Sequence, residues 1–560
     1  MKKFAFILMA AAALFTACAE GEGGTSGGGS SLAVKADFTM SATQVLVGEE
    51  VTFTATAEGG VSPYTFNWQL GTSVNLSGQT VKYTFDNNGG VIVKLTVLDK
   101  DGNKAEKRKN LIVNPRPVAE QGQVNLLWAA KIQGYNAIST PAIADDGSVY
   151  ATSQAGILYK FDKNGNQLWT KETGLGIKGT PSIDTDGTVF LGAGSSNGTA
   201  KVYAFNPDGT IKWEFTEFWA APGATLSASM LGSVCGIGAT NIYFGNCGTT
   251  GTVIAVNKTT GQRVGYVVND AEGTAGPTGG ARAGVTISKN GYIHWGGGQY
   301  GVHGIAQSKI DGAGNSGVKW DWRYYQVKGK NNAEGPIALA KVNGKTCVVG
   351  VQTSNDTGIP WVYAVDAAAP AGYPKAESEY IVPGTTGEMD NGSVAVTAEG
   401  YIVATLNYTN GKEDGGIIVV NPSTNPGTLV AEYRIMEKVS GAPAIDAAGN
   451  IHFGTESGNY YVVKIVDGKC ELVAKKDLAA LVLADSRYAE TIPFDSPAKV
   501  YSSVVIGDDG RVYLQFTNND AGRVREFGAL VCLEVGGCTA PGNTDWPMMG
   551  QNRRHTNCEK

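Results

Sequence analysis

Four histidines are the first candidates for acid–base chemistry, because histidine changes its charge near neutral pH. His294 and His452 lie on predicted strands, next to apolar positions, which favours a structural role over that of a base. His303 lies in a glycine-flanked loop, where it could line a site, and His555 belongs to a segment that follows the last predicted strands. We therefore assign no catalytic residue.

Two pairs of carboxylates are close in sequence, Glu377 with Glu379 and Glu388 with Asp390. A retaining glycosidase needs two carboxyl groups about 5 Å apart. Sequence spacing does not place these side chains in space, and solvated loop charges are the simpler interpretation. A polysaccharide-active enzyme therefore stays open only as an alternative.

The chain has eight cysteines, and setting Cys18 aside leaves an odd number, so at least one of them has no partner within the chain. Cys235 lies near Cys247, and a second pair could form among Cys532, Cys538 and Cys558, but sequence alone does not fix the pairing. No CxxC or HExxH spacing is present, and we predict no metal site.

Aromatic residues in long insertions are the candidates for binding, because aromatic planes stack on the apolar faces of sugars and on protein partners. The alternative is that they pack inside the insertions themselves. The candidate binding residues are Phe218, Trp219, Trp295, Tyr300, His303, Trp322, Arg323, Tyr325 and Trp361.

The first residues predict export. Lys2 and Lys3 precede an apolar stretch, residues 4–15, that is too short to span a bilayer. Small residues then lead to Cys18, which resembles the lipobox of bacterial lipoproteins. The resemblance implies a signal peptide over residues 1–17, acylation of Cys18 and a lipid anchor in the outer membrane. The alternative is an ordinary signal peptide with an incidental cysteine.

Residues 18–32 are rich in glycine and serine and predict a flexible tether. Glu20 and Glu22 lie just after the candidate lipidated cysteine and resemble a surface-export signal. This favours the cell surface over the periplasmic face of the outer membrane, and a solvated tether inside the periplasm remains the alternative.

Composition narrows the class of protein. The net charge of −6 argues against a nucleic-acid partner, which would need clustered lysine and arginine. Glycine supplies 77 of 560 residues and charged residues only 17%, which is typical of many short strands joined by turns. We predict an all-β protein.

Residues 33–114 alternate apolar and polar residues between turn signals. Gly48-Glu49 before a strand, Tyr64 and Trp68, and the turn from Asp99 to Gly102 resemble the PKD domain. That resemblance implies an immunoglobulin-like sandwich, which we interpret as a spacer. Residues 115–123, beginning Pro115-Arg116-Pro117, predict a linker.

Residues 124–560 repeat a four-strand unit. The clearest copies begin Thr140-Pro141-Ala142-Ile143 and Thr180-Pro181-Ser182-Ile183, and each continues through an Asp-Gly hairpin to a tryptophan on its fourth strand. A single four-stranded sheet cannot bury both faces, so the copies must stack around an axis. Predicted structural tryptophans are Trp128, Trp169, Trp213, Trp320 and Trp546.

This pattern resembles the PQQ-like, quinoprotein-type repeat family, which implies a β-propeller. We count eight copies, so eight blades are expected and seven are the next choice. The strand around Trp128 lacks the first three strands of its unit, and we expect it to complete the last blade. Quinoprotein dehydrogenases hold their quinone against a pair of adjacent cysteines, and no two cysteines are adjacent here. We predict no cofactor.

The sequence favours a non-catalytic, lipid-anchored envelope protein that binds glycan through loops on one face of the propeller. A protein–protein scaffold of the outer membrane is the alternative, and a polysaccharide-active enzyme is the second one. The expected partners are the membrane, through the lipid anchor, and either a polysaccharide or an outer-membrane protein.

Overall fold

A computed structural model describes most of the chain beyond residue 32. The described ranges are residues 33–85, 87–115, 119–134, 139–177, 179–194, 200–217, 235–246, 252–267, 284–296, 301–314, 317–325, 331–332, 335–354, 357–383, 394–407, 415–494, 498–518 and 527–559. The chain divides into two compact units at residue 117, inside the predicted linker. Predictions for residues 1–32, including Cys18, lie outside the described residues.

The first unit is a β-sandwich around Trp68. Its strands are β1 (Lys35–Met40), β2 (Gln44–Leu46), β3 (Glu50–Glu58), β4 (Thr65–Leu70), β5 (Val74–Ser77), β6 (Thr80–Thr84), β7 (Gly89–Leu98) and β8 (Lys104–Asn114). One sheet has the strand order β1-β3-β6 and the other the order β2-β8-β7-β4-β5. The Trp68 ring packs 5.1 Å from Phe38 and 5.7 Å from Phe53, centroid to centroid.

The second unit is built from antiparallel sheets in chain order, and among the described residues six of them have four strands and two, in blades 5 and 8, have five. It begins with β9 (Val124–Gln133), which is followed by three regular blades. Blade 1 is β10 (Ala142–Ile143), β11 (Val149–Thr152), β12 (Ile157–Phe161) and β13 (Gln167–Glu172). Blade 2 is β14 (Ser182–Ile183), β15 (Val189–Gly194), β16 (Ala200–Phe205) and β17 (Ile211–Phe215). Blade 3 is β18 (Gly236–Ile237), β19 (Asn241–Asn246), β20 (Thr252–Asn257) and β21 (Arg263–Tyr266).

Blades 4 to 6 keep this order with insertions. Blade 4 is β22 (Val285–Ser288), β23 (Tyr292–Gly296), β24 (Val302–Ala306), the short helix α1 (Gln307–Asp311) and β25 (Trp322–Tyr324). Blade 5 is β26 (Asn331–Asn332), β27 (Ala338–Val342), β28 (Lys345–Ser354), β29 (Pro360–Asp366) and β30 (Ser378–Ile381). Blade 6 is β31 (Val394–Val396), β32 (Ile402–Leu406), β33 (Gly415–Asn421) and β34 (Thr428–Ile435).

Blade 8 takes its fourth strand from the start of the unit. Blade 7 is β35 (Ala444–Ile445), β36 (Asn450–Gly454), β37 (Asn459–Val466), β38 (Lys469–Asp477) and then α2 (Leu478–Leu483). Blade 8 is β39 (Ala498–Lys499), β40 (Val505–Ile506), β41 (Val512–Asn518) and β42 (Phe527–Val535), and β42 pairs antiparallel with β9. The predicted ring closure is confirmed, and the described strands form eight blade-type sheets.

Tryptophans on fourth strands join neighbouring blades. The φ angles of Gly165, Gly209 and Gly261 are +87°, +83° and +72°, and each glycine lies in the hairpin between strands 3 and 4 of its blade. The rings of Trp128, Trp169 and Trp213, each from the preceding blade, lie so close to these glycines that a Cβ atom would come within 2.6–3.0 Å of them. The three indole N–H groups donate to the carbonyls of Lys163, Pro207 and Lys258 at 3.0, 3.2 and 3.0 Å.

The fourth-strand tryptophan of blade 4 is Trp322, and the prediction of Trp320 for that place is wrong. Where the third and fourth strands of a blade pair, Trp169 is opposite Lys160 in blade 1 and Trp213 is opposite Ala204 in blade 2. In blade 4 the equivalent residue is Gly304, and its partner is Trp322. Trp320 precedes β25. A shift of two residues keeps a side chain on the same face of a strand, so the sequence pattern did not separate the two.

Hydroxyl groups form a second, inner connection between blades. The backbone N–H of Ala442 donates to Ser503 Oγ at 2.9 Å, that of Ser503 to Thr140 Oγ1 at 3.0 Å, and that of Thr140 to Thr180 Oγ1 at 3.1 Å. These residues occupy the same place before the first strand in blades 7, 8, 1 and 2. Three hydrogen bonds at this position of the repeat therefore join blade 7 to blade 8, blade 8 to blade 1 and blade 1 to blade 2.

Among the described residues, Cys532, Cys538 and Cys558 form no disulfide bond with one another. Cys247 lies outside the described residues, and Cys235 is buried with a free thiol. Among the described residues, no helix is long and apolar enough to cross a membrane.

The contact between tryptophan and glycine gives a direct test. We expect Gly261→Ala to lower the free energy of unfolding by about 1–3 kcal/mol more than Gly174→Ala, because the new methyl group overlaps the Trp213 ring. Gly174 is the matched control, since its φ of +67° imposes the same left-handed strain while nothing lies within 4 Å of an added Cβ. Urea unfolding measures both variants, and equal losses would contradict the proposed role of the ring contact.

Candidate functional site

The strand order gives the propeller two different faces. The turns between strands 1 and 2 and between strands 3 and 4 lie at one end of the antiparallel strands, which we call the hairpin face. The connections between strands 2 and 3, and from one blade to the next, lie at the other end, which we call the connection face. First strands are buried and fourth strands are largely exposed, so the first strands surround the axis.

Residues 540–559, the axial segment, cross the hairpin face. Backbone N–H groups of the first strands donate to carbonyls of this segment at 2.8–2.9 Å in six blades. Trp546, predicted to be structural, is fully buried. The segment therefore fastens the inner strands to one another. The six donor–acceptor pairs are Ile143 with Arg553, Ile183 with Arg554, Ile237 with Thr556, Ile287 with Asn557, Val396 with Trp546 and Ile445 with Pro547.

A polar recess of about 520 Å³ lies beside the axial segment. Lys289 and Lys341 line it together with Glu399, Asp545 and Glu559. Lys341 Nζ lies 3.2 Å from Glu559 Oε1, so part of this charge is already paired. The lining carries both signs of charge and shows no preference for an anion or a cation.

The four histidines are buried. Burial lowers the pKa of His294 and of His303 to about 3, and that of His555 to about 4. A neutral imidazole with so low a pKa is a weak base at neutral pH. These positions support the predicted strand role of His294, whereas His303, predicted as a candidate binding residue, lies on β24 and not in a loop.

Three of the candidate binding residues, Trp295, His303 and Arg323, come together in blade 4 with Trp320. The rings of Trp295 and His303 stack at 5.1 Å with an interplanar angle of 6°. His303 lies 6.2 Å from Trp320, and the Arg323 guanidinium lies 4.7 Å above the Trp320 ring. Trp295, His303 and Arg323 are each no more than 5% exposed. They form one layered stack that packs against blade 3.

Trp322 and Trp361 are completely buried, so the expectation that they form exposed stacking planes is wrong for these two. Both belong to the core between blades 4 and 5. The reason is the alternation of a strand, which turns Trp322 toward the next blade rather than toward solvent. Phe218, Trp219 and Tyr300 lie outside the described residues, and binding by these three stays a prediction.

Within the described part of the chain, an aromatic surface is accessible on the outer side of blade 4. Arg323 lies 5.5 Å from each of the Tyr325 and Tyr373 rings, and Tyr373 lies 5.7 Å from Trp320. Trp320 and Tyr325 are half-buried and Tyr373 is 50% exposed. We call these four residues the aromatic–arginine patch. The sequence places Tyr373 in a long insertion, and the structure shows that the blade 5 hairpin carries it to Arg323, about 50 residues earlier in the chain.

A second grouping was not predicted from sequence. The ligand atoms of Asp446, His452 and Cys538 all lie within 4.8 Å of one another. Asp446 and His452 belong to the first hairpin of blade 7, whereas Cys538 follows the last strand of blade 8. No spacing motif could join residues this far apart, and His452 occupies a strand position where Tyr150 is found in blade 1.

Comparison with known families agrees with this architecture. A model described as PKD domain matches residues 35–113, and a model described as outer membrane protein assembly factor BamB matches residues 117–337. The chain consists of a PKD domain followed by a BamB-like propeller repeat region. No protein in the curated collection matches it.

Solved structures resemble this chain at low sequence identity. A europium-containing methanol dehydrogenase aligns with a TM-score of 0.50 and 14% identity, over 74% of this chain and 94% of the other, and this likeness concerns the fold only. BamB from Moraxella catarrhalis aligns at 0.45 and 11%, over 74% and 100%, and the Dos1 propeller at 0.47 and 9%, over 74% and 95%. Without adjacent cysteines in the chain, we derive no step through a quinone.

Buried His294 predicts a dependence of stability on pH. Its folded pKa of about 3 lies below the unfolded value of about 6.5, so only the unfolded chain binds a proton between these values. Its stability contribution is complete above about pH 6.5 and falls by about 1.4 kcal/mol per pH unit below it. We expect the variant His294→Tyr to take up one proton fewer on unfolding between about pH 6 and about pH 4.5. The slope of its unfolding free energy against pH should therefore be smaller by about 1.4 kcal/mol per pH unit.

The control for this measurement is Ser288→Ala. Ser288 Oγ lies 2.9 Å from His294 Nε2, so this variant loses the hydrogen bond but keeps the titrating ring. An unchanged slope in His294→Tyr would show that His294 does not carry this linkage.

Proposed function

We propose that this protein is a non-catalytic lipoprotein associated with the outer membrane, and that its propeller binds a protein partner through the aromatic–arginine patch. The family match to an outer membrane protein assembly factor supports the class of protein and the compartment. The lipobox-like sequence at Cys18 agrees with that compartment. The observation that carries the contact site is the exposed aromatic surface around Arg323.

The patch has the composition of a protein-binding hot spot. Tryptophan, tyrosine and arginine are the residues most enriched at such positions, where rigid side chains pack with little loss of conformational freedom. Arg323 is held in place before any partner arrives, since it lies over Trp320 and donates to the Tyr373 hydroxyl at 3.3 Å. Arg323 is itself buried, so its role is to hold the rings of Trp320, Tyr325 and Tyr373 in place. Side chains that are ordered in advance lose less conformational entropy when a partner binds.

A scaffold also agrees with the positions of the acid–base residues. The histidines are buried, and the axial segment bonds to the inner strands of six blades at the hairpin face. Glycan binding, the first expectation from sequence, loses support because Trp322 and Trp361 are in the core. The partly exposed ring of Tyr373 leaves it as a measurable alternative outcome.

Photo-crosslinking tests the proposed contact. A photoreactive phenylalanine at Tyr373 should give one defined adduct with an envelope protein in intact cells, and one at Met436 should not. Met436 is 71% exposed on blade 6 and is the matched control for exposure. Tyr373→Ala should weaken binding of the identified partner by about 2 kcal/mol, as expected for a hot-spot residue.

Two results would contradict the proposal. The first is the same adduct pattern at Tyr373 and Met436, which would mean that the patch is not a specific contact. The second is retardation by a polysaccharide in affinity electrophoresis that Tyr373→Ala abolishes, which would assign the patch to glycan instead.

A further inference from the structure

The first hairpin of blade 7 and the loop after β42 bring together an oxygen, a nitrogen and a sulfur donor. Asp446 Oδ2 lies 3.1 Å from His452 Nε2, and the Cys538 Sγ atom lies within 4.8 Å of both ligand atoms. Asp446 is 1% exposed, His452 is fully buried and Cys538 is half-buried. Among the described residues, no other group of three such side chains meets this spacing.

These distances suit a zinc ion. Tetrahedral zinc with bonds of about 2.0–2.1 Å to nitrogen and oxygen places those two donors about 3.3 Å apart, and a thiolate at about 2.3 Å places sulfur about 3.5 Å from each. The Asp446–His452 separation already has nearly this value. Only Cys538, which belongs to a half-buried loop, has to approach, by about 1 Å.

The surroundings also orient the imidazole for a metal. His452 Nδ1 lies 2.6 Å from the Tyr460 hydroxyl, so a proton on Nδ1 has an acceptor and Nε2 is left to face Asp446 and Cys538. A hydrogen-bond partner on the non-ligating nitrogen is the usual arrangement around histidine ligands of metals. Tyr460 is fully buried and cannot turn away easily.

Asn450 completes the site. Its Nδ2 donates to Asp446 Oδ2 at 2.7 Å, while its Oδ1 is buried and has no hydrogen-bond partner within the described part of the chain. A zinc ion with three protein ligands takes water in its fourth position. Asn450 Oδ1 offers that water an acceptor at the edge of the cluster.

We propose that Asp446, His452 and Cys538 bind one zinc ion, which joins the loop after β42 to blade 7. On binding, the Cys538 thiol loses its proton to solvent and a zinc–sulfur bond forms, with no change in oxidation state. The axial segment begins two residues after Cys538, and the backbone N–H of Ala447 donates to the Ala540 carbonyl at 2.9 Å. The ion would therefore fix the entry of the axial segment onto the hairpin face.

Cobalt substitution tests the site on the full chain. After chelator treatment, one equivalent of Co²⁺ should give the intense visible bands of a tetrahedral ion and a sulfur-to-cobalt charge-transfer band. Cys538→Ser should lose the charge-transfer band and bind Zn²⁺ at least 10-fold more weakly, and Cys470→Ser should retain both. Cys470 is the matched control, since it is a half-buried free thiol on β38.

Tyr460→Phe separates a metal site from a hydrogen-bonded cluster. It keeps all three ligands and removes only the hydroxyl beside Nδ1, so zinc affinity should fall about 10- to 100-fold while one ion still binds. Unchanged zinc affinity in Cys538→Ser, or a cobalt spectrum without the charge-transfer band in the unmodified chain, would overturn the proposal.

A measurement on the unmodified chain covers the case in which Cys538→Ser does not fold. One equivalent of Zn²⁺ should slow alkylation of Cys538 at least 10-fold and leave that of Cys470 unchanged, as read by peptide mass spectrometry. Equal rates with and without zinc at Cys538 would overturn the proposal.

Discussion

The packing of a fourth-strand tryptophan on the hairpin glycine of the next blade joins blades 8, 1, 2 and 3 in series, and this part of the propeller depends on it. An isolated four-stranded sheet leaves both of its faces exposed to water, so each blade needs a neighbour on both sides. The indole supplies the largest apolar surface for this contact, and its N–H satisfies a hairpin carbonyl that would otherwise face an apolar ring. Only glycine fits beneath the ring, because a Cβ atom at Gly261 would meet Trp213 at 2.7 Å.

The interior of the ring uses hydrogen bonds for the same purpose. The hydroxyl groups of Ser503, Thr140 and Thr180 each accept a hydrogen bond from a backbone N–H of the preceding blade. The axial segment accepts a backbone hydrogen bond from the first strands of six blades. First strands of two residues leave backbone donors next to the axis, and buried donors without partners are costly. The axial segment meets this need, which explains why a stretch with little regular structure is so deeply buried. The proposed zinc ion would act at the start of this segment.

The outer side of blade 4 shows how this packing leaves a surface for binding. Among the described residues, Trp295, Trp322 and Trp361 are buried in the contacts between blades, where the loss of water from their rings stabilises the fold. The four residues around Arg323 differ, because the blade 5 hairpin carries Tyr373 across to the edge of blade 4. The result is a small, preordered surface on a rigid sheet, which agrees with the proposed contact with a protein partner.

The sequence by itself determined the local and repeated features. Asp-Gly hairpins, the Thr-Pro start of each unit and the tryptophan after the third strand gave the blades, and the isolated strand around Trp128 gave the closure by β9 and β42. Trp68 and the turn at Asp99, which resemble those of the PKD domain, indicated the β-sandwich of the first unit. These features depend on neighbours within about 40 residues, so spacing alone carries them.

Tertiary structure decided whatever depends on register or on contacts between distant segments. It placed Trp322 rather than Trp320 at the fourth-strand position, buried Trp361, and brought Cys538 to Asp446 and His452 across a blade boundary. Strand pairing sets which face a side chain occupies, and ring closure sets which hairpins meet. The spacing of residues within one repeat specifies neither the strand pairing nor the ring closure, because both depend on contacts that form only in the folded chain.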